Sequence, residues 1–406
     1  MPHSRIDNQS KDFTIPSGAR VDLKHWILSA ALALSGCVAA SATPLAATGT
    51  ANAPSGEWVA VTPPPVRIDG RSFTATCSQA AGANPAYQFW FRRGSADGLV
   101  IFFDGGGACW DDVTCAVPRL REAPRDDDGF YKAELIDADD PNRFSGIFDL
   151  ANPRNPVRNW SIVYVPYCTA DVHTGSNTAH YTDPDTGQPY TIEHRGADNF
   201  RAVLAWMRQN FAEPARLLVA GSSAGAYGAA THYPRIREAY PHSNAMMVGD
   251  AGQGVTTQHF LDVRHSAWRS ELPRELFRRG ELVTPRTDLV ARLAARYPQD
   301  RFGQYTTAHD LTQSSFYALM GGENACSVWT ERMSRDLAER QHAANFRSYL
   351  AAGENHAILR TPRFYTEQSG GEPLAEWLAA MLGGDGAGWD NRACEDCMAR
   401  TRQCSY

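Results

Sequence analysis

Residues Leu217-Leu218-Val219-Ala220-Gly221-Ser222-Ser223-Ala224-Gly225-Ala226 read as a buried strand, a tight turn and the start of a helix of small side chains. The turn carries a G-x-S-x-G pentapeptide. A serine in such an elbow, with small neighbours that let the backbone pass, has its Oγ lifted clear of the sheet edge. The pentapeptide alone is a weak signal, because Gly-rich turns recur for geometric reasons. The strand before it and the Ala- and Gly-rich stretch after it make Ser223 the candidate nucleophile.

Working outward, Gly98-Leu99-Val100-Ile101-Phe102-Phe103 is a continuous apolar run suited to a strand buried on both faces. Ser161 to Pro166 and Ala215 to Ala220 repeat the pattern. Between the last two, Phe200, Val203, Leu204, Met207 and Phe211 recur at helical spacing and predict a helix over 197–211. Further strands are expected at Ala245 to Val248 and Asp300 to Thr306, and helices at Glu331 to His342 and Leu374 to Leu382. The alternating positions from Ser72 to Arg93 read as a hairpin. This succession predicts an α/β fold, α/β-hydrolase-like, with a mostly parallel central sheet flanked by helices. No internal repeat and no boundary divides residues 58–406, which form the expected catalytic domain.

Composition bounds the function. Of the 406 residues 43% are hydrophobic, enough for a sizeable core, and the net charge of −6 is spread without a basic patch, which argues against a nucleic-acid partner. Near the N-terminus, Lys24 and His25 precede the apolar stretch Trp26 to Ala33 and then Leu34-Ser35-Gly36-Cys37. The apolar core is too short to span a bilayer and reads as an export signal within residues 1–42. Cys37 would be the acylated residue of a lipoprotein, the one expected membrane contact, while Ala40-Ser41-Ala42 offers ordinary cleavage instead. The polar stretch Met1 to Arg20 is an unusual leader; it reads either as sequence ahead of the true start or as a disordered tail. Residues 43–57 are Ala-, Ser-, Thr- and Pro-rich and read as a linker. The product would be periplasmic, a cell-surface lipoprotein, or secreted; the oligomeric state stays open.

Beyond Cys37, eight cysteines remain, Cys77, Cys109, Cys115, Cys168, Cys326, Cys394, Cys397 and Cys404, an even set that suits disulfides in an oxidising compartment. Cys394-x-x-Cys397 with Cys404 could instead hold zinc, but no second ligand pair accompanies it, so no metal is expected.

A serine hydroxyl needs a base, and the base an orienting carboxylate, in the chain order Ser, acid, His. Among the 12 histidines, His356 lies late in the chain, in the turn-like Gly353-Glu354-Asn355-His356 before an apolar run, and is the candidate base. Asp250 and Asp310 each follow a predicted strand, where open α/β sheets place their sites, and spacing does not choose between them. Asp104-Gly105-Gly106-Gly107-Ala108-Cys109-Trp110 directly follows a buried strand, and its glycines let backbone N–H groups converge on a developing oxyanion. Gly106, Gly107 and Ala108, with Ala224 beside the nucleophile, are the candidate donors. A phosphate loop is the alternative, but its Lys and Ser/Thr are missing.

Five ordered pieces, Gly105-Gly106-Gly107-Ala108-Cys109, Tyr167 to Gly175, Gly221 to Gly225, Ala308-His309-Asp310 and Asn355-His356-Ala357-Ile358, together resemble the pectin acetylesterase and Notum carboxylesterase family. The resemblance implies Ser223 as nucleophile, Asp310 as acid and His356 as base, with Asp250 in a supporting role. It implies an acyl-enzyme esterase without a cofactor, acting on O-acetyl esters of a polysaccharide such as pectin. Small aliphatic or lipid-like esters are the alternative substrates, and acyl transfer to an alcohol the alternative outcome. Plant and animal members carry Trp where this chain has Ala108, so whatever contact that Trp makes with substrate is either lost or taken over by Trp110. The piece Tyr167 to Gly175 implies a loop at the mouth of the site, with Asp171 and His173 beside the substrate or, alternatively, holding the loop's structure. A non-enzymatic, carbohydrate-binding surface protein would have lost a triad member, and all three are present.

Overall fold

The computed structural model describes residues 56–119, 129–395 and 397. Cys37, the Ala40-Ser41-Ala42 site, Cys404 and residues 1–55 of the expected leader and linker lie outside them. Nine strands form one sheet: β1 (Trp58–Val61), β2 (Phe89–Arg92), β3 (Gly98–Phe103), β4 (Ser161–Val165), β5 (Arg216–Ser222), β6 (Asn244–Asp250), β7 (Arg301–Thr307), β8 (Phe346–Ala351) and β9 (Arg392–Ala393). Their order is β1-β2-β4-β3-β5-β6-β7-β8-β9. Only the β1–β2 and β2–β4 pairs are antiparallel; every pair from β4 to β9 runs parallel. The fold is a mostly parallel α/β sheet flanked by helices, as the apolar runs require.

Those runs bury both faces because successive side chains alternate. Leu99, Ile101 and Phe103 of β3 join Leu217 and Val219 of β5 on one side, under α1 (Gly196–Asn210), α2 (Ala224–Ala239) and two later helices on that face. Val100 and Phe102 join Leu218 and Ala220 on the other, under the helix Leu374–Leu382. That helix has the predicted bounds, and the one expected at Glu331 begins earlier, spanning Ala325–Arg340.

The segment Ser72 to Arg93 is not one hairpin. Arg71–Phe73 closes a small ribbon with Val66–Ile68, whereas β2 pairs with β1 and β4 inside the main sheet. Its alternation reflects two separate pairings, which periodicity does not distinguish. A second ribbon, Asn177–Thr182 with Pro189–His194, stands over the carboxyl ends of the strands, with α3 (Gln258–Trp268) against it.

Disulfides fix the loops at that end. Cys77–Cys168 and Cys109–Cys115 are formed, and Cys394 pairs with Cys397. The Cys394-x-x-Cys397 pair is therefore a covalent link and offers no free thiolate to a metal. Among the described residues, no helix is long and apolar enough to cross a membrane.

Candidate active site

Ser223 sits between β5 and α2 with φ 57° and ψ −124°, a conformation that strains a residue bearing a Cβ. The elbow is possible because its flanks are glycine: a Cβ on Gly225 would lie 2.0 Å from the carbonyl oxygen of Phe103. Ser223 N–H donates to Asp250 O at 2.7 Å, which ties the elbow to the neighbouring strand β6.

His356 comes from the loop after β8, and its Nε2 lies 2.7 Å from Ser223 Oγ. Its Nδ1 lies 2.8 and 3.0 Å from the two carboxylate oxygens of Asp310, the residue that caps α4 (Leu311–Leu319). A carboxylate only accepts, so Nδ1 carries the proton and Nε2 accepts from the Ser223 hydroxyl. Burial works against charging the imidazole, but the Asp310 carboxylate beside it, helped by Asp250, holds its pKa above the usual histidine value. Asp310 is fully buried and also accepts from the N–H and the side-chain amide of Gln313, each at 2.9 Å, which fixes its rotamer.

Of the two aspartates, Asp310 is the one in contact with the Nδ1 of His356. Asp250 accepts instead from Ser222 Oγ at 2.7 Å and from the N–H groups of Ile358 and Leu359, each at 2.9 Å through Oδ2. Burial raises its pKa to about 6. It clamps the histidine loop to the elbow. Thr307 Oγ1, donating to Asn355 O at 2.8 Å, holds the same loop from β7.

The triple-glycine bend follows β3 and passes beside the serine. At Gly107 φ is 76°, and a Cβ there would lie 2.0 Å from Phe130 O, so glycine is required. One expected donor is corrected: the Ala108 N–H is spent on Phe130 O at 3.0 Å. The N–H groups of Gly106, Gly107 and Ala224 have no acceptor among the described residues. Beneath the bend, Asp104 is fully buried and surrounded by Lys132, Arg360 and the Tyr164 hydroxyl. Burial opposes its charge, yet the two cations and the hydroxyl lower its pKa to about 2.

Three expected substrate contacts are displaced. Trp110 is 1% exposed and lies under Phe260, edge to face at 4.8 Å, so Phe260 rather than Trp110 meets the cavity. Asp171 is wholly buried and accepts from Thr169 Oγ1 and from the N–H groups of His173, Gly175 and Gly196. Burial raises its pKa to about 7 against those bonds. His173 is also buried, its Nε2 2.8 Å from Asp104 O and its ring against Tyr167. Burial lowers its pKa to about 4 and keeps it neutral. Both residues build the loop, and its Val172 and Thr174 face the cavity instead.

Ser223 and His356 open on a cavity of about 400 Å3. Its walls include Tyr227, one turn beyond the serine, and Phe260, Arg264 and Trp268 of α3. Sequence reading missed these. The signal was the four-residue spacing of 260, 264 and 268 on one helix, which places the three on a single face. Trp268 Nε1 donates to Cys109 O at 2.7 Å and so joins this wall to the glycine bend.

Among the described residues, the grouping closest to a metal-ligand set is Cys109, Cys115 and His194. The two sulfurs are bonded to each other, and the imidazole contacts Thr169 O and the Tyr181 hydroxyl. These residues staple the loop.

Comparison with solved structures finds the Wnt deacylase Notum from Drosophila, 18% identical, with 80% of this chain and 94% of that chain covered and a TM-score of 0.57. At this identity the likeness shows the fold, which is α/β-hydrolase-like. No curated protein matches the sequence significantly. A model of the pectinacetylesterase family matches residues 68–274, half of the chain, and includes the glycine bend and the Ser223 elbow. The chain belongs to the pectinacetylesterase family, a family of hydrolases acting on acyl esters.

Proposed function

We propose that residues 58–406 form a serine carboxylesterase that works through an acyl-enzyme on Ser223. The observation that carries this reading is the line from Asp310 through His356 to Ser223, 2.8 and 2.7 Å, ending at a strained elbow that faces a cavity. Ser223 Oγ attacks the ester carbonyl carbon while its proton passes to His356 Nε2. Asp310 fixes the tautomer and stabilises the imidazolium. The oxyanion is held by the N–H groups of Gly106, Gly107 and Ala224, donors of the kind worth roughly 3 to 4 kcal/mol each. The alcohol leaves with the proton from Nε2, and water, deprotonated by the same nitrogen, releases the acid.

Family membership makes an O-acetyl ester of a polysaccharide such as pectin the first substrate class. The disulfides suit an exported enzyme. A second reading, longer aliphatic acyl esters, is favoured by one observation: the cavity beside Ser223 is larger than an acetyl group needs and is walled by Phe260, Leu261, Trp268 and Phe316. Turnover of p-nitrophenyl esters from two carbons to sixteen, beside acetate release from acetylated pectin, separates them. Activity that peaks at two carbons with acetate release supports the first; a peak at eight or more without acetate release supports the second.

A further inference from the structure

Arg264 is a cation without a counter-ion. It projects from the same face of α3 as Phe260 and Trp268 and lines the cavity that holds Ser223 and His356. Of the other arginines in that lining, Arg340 is buried and pairs with Asp288, while Arg335, paired with Asp336, and Arg286 are exposed to solvent. Among the described residues, Arg264 has no carboxylate and no hydrogen-bond acceptor, only the face of Phe260 at 5.6 Å. Burial draws its pKa down to about 10, opposed only by the Tyr227 hydroxyl, and it remains charged at neutral pH.

A guanidinium withdrawn from water without a partner is destabilising, and its planar fork of donors matches a carboxylate. Proteins keep such arrangements where a ligand completes them. The cavity is small enough that a group at Arg264 and an ester at Ser223 belong to one ligand.

We propose that Arg264 forms a carboxylate subsite, so that the preferred substrate carries a free carboxylate close to the ester that Ser223 attacks. This rests on the esterase reading above and deepens it. A uronic acid would present the carboxylate on the alcohol side, as an acetylated galacturonate does; a half-ester of a dicarboxylic acid would present it on the acyl side.

The test compares the wild type with Arg264→Gln and Arg264→Lys on three probes: acetylated oligogalacturonate with and without methyl-esterified carboxyls, mono-p-nitrophenyl succinate, and neutral p-nitrophenyl acetate. One anionic probe should be preferred by the wild type, and R264Q should raise its KM about tenfold to a hundredfold, with R264K between. Turnover of p-nitrophenyl acetate should fall far less than that of the preferred anionic probe, and R264Q should melt no lower than the wild type, because an unpaired, largely desolvated charge has been removed. Which anionic probe responds names the side that carries the carboxylate. Equal losses on all three probes, or wild-type indifference to the carboxylate, would overturn the subsite while leaving the esterase intact. If p-nitrophenyl acetate itself is not turned over, the esterase reading fails. Calorimetric binding of deacetylated oligogalacturonate and of succinate then decides the subsite: tighter binding of either by the wild type than by R264Q supports it, and no difference for both overturns it.

Discussion

The carboxylate of Asp250 accepts the hydroxyl of Ser222 at 2.7 Å, and through Ile358 and Leu359 it holds the loop that carries His356. Asp250 thus joins the strand that leads to Ser223 to the loop that carries His356. Asp250→Asn keeps the shape but offers the two amides an acceptor that is neutral and half as capable. Stability should fall by about 1–3 kcal/mol, the cost of poorly satisfied buried donors, read from denaturant midpoints. Asp250 also helps to raise the His356 pKa. In the proposed mechanism the neutral imidazole is the base, so kcat/KM should fall as pH drops through that pKa. Removing the Asp250 charge lowers it, and the acid limb of the pH profile should move to lower pH.

Asp310→Asn should do far greater damage. The amide can donate where the carboxylate accepts, which favours the wrong imidazole tautomer, and kcat should fall about 10^4-fold. The two variants on one ester, at the pH optimum of the wild type, give the ranking. A smaller loss at 310 than at 250 would move the acid.

The parts legible in the sequence are those where one local rule acts alone. Buried parallel strands announce themselves as apolar runs, so β3, β4 and β5 were readable, and the elbow at Ser223 follows from small residues between a strand and a helix. Asp310 was not separable from Asp250 by position, because both follow strands of the same sheet and the choice depends on which one the later loop reaches. The family resemblance put Trp110 beside the substrate, and left Asp171 and His173 either beside it or holding the loop. Here burial made them structural: Asp171 is consumed by backbone amides and His173 by Asp104 O. The cavity wall formed by Phe260, Arg264 and Trp268 arises from a helix packing over the sheet end, a long-range event without local signature.

Gly107→Ala tests the bend. A Cβ would strike Phe130 O and oppose a φ of 76°, so the chain must shift by more than a side chain can absorb. Donors misplaced from the oxyanion should cost about 10^2- to 10^3-fold in kcat with little change in KM. Steady-state kinetics on a soluble chromogenic ester, with circular dichroism to verify the fold, reads it.

Asp104 sets an acid limit on stability. Its pKa is about 2 in the folded protein against 3.8 as the reference. A depressed carboxylate contributes stability that is full above the unfolded value and is lost as pH falls through the folded one, here about 2 kcal/mol between pH 4 and 2. Asp104→Asn should be less stable than the wild type at neutral pH, by thermal denaturation, and should lose less on acidification through that window.

The central claim is that the hydroxyl of Ser223, activated by His356, is the acylated atom. Treating the protein with a fluorophosphonate and mapping the adduct by peptide mass spectrometry tests it directly. The account predicts a single stoichiometric adduct on Ser223, absent from His356→Ala on the same time scale, and a fall of about a million-fold in ester turnover for Ser223→Ala. Labelling at another residue, or a Ser223→Ala enzyme within tenfold of the wild type, would contradict it.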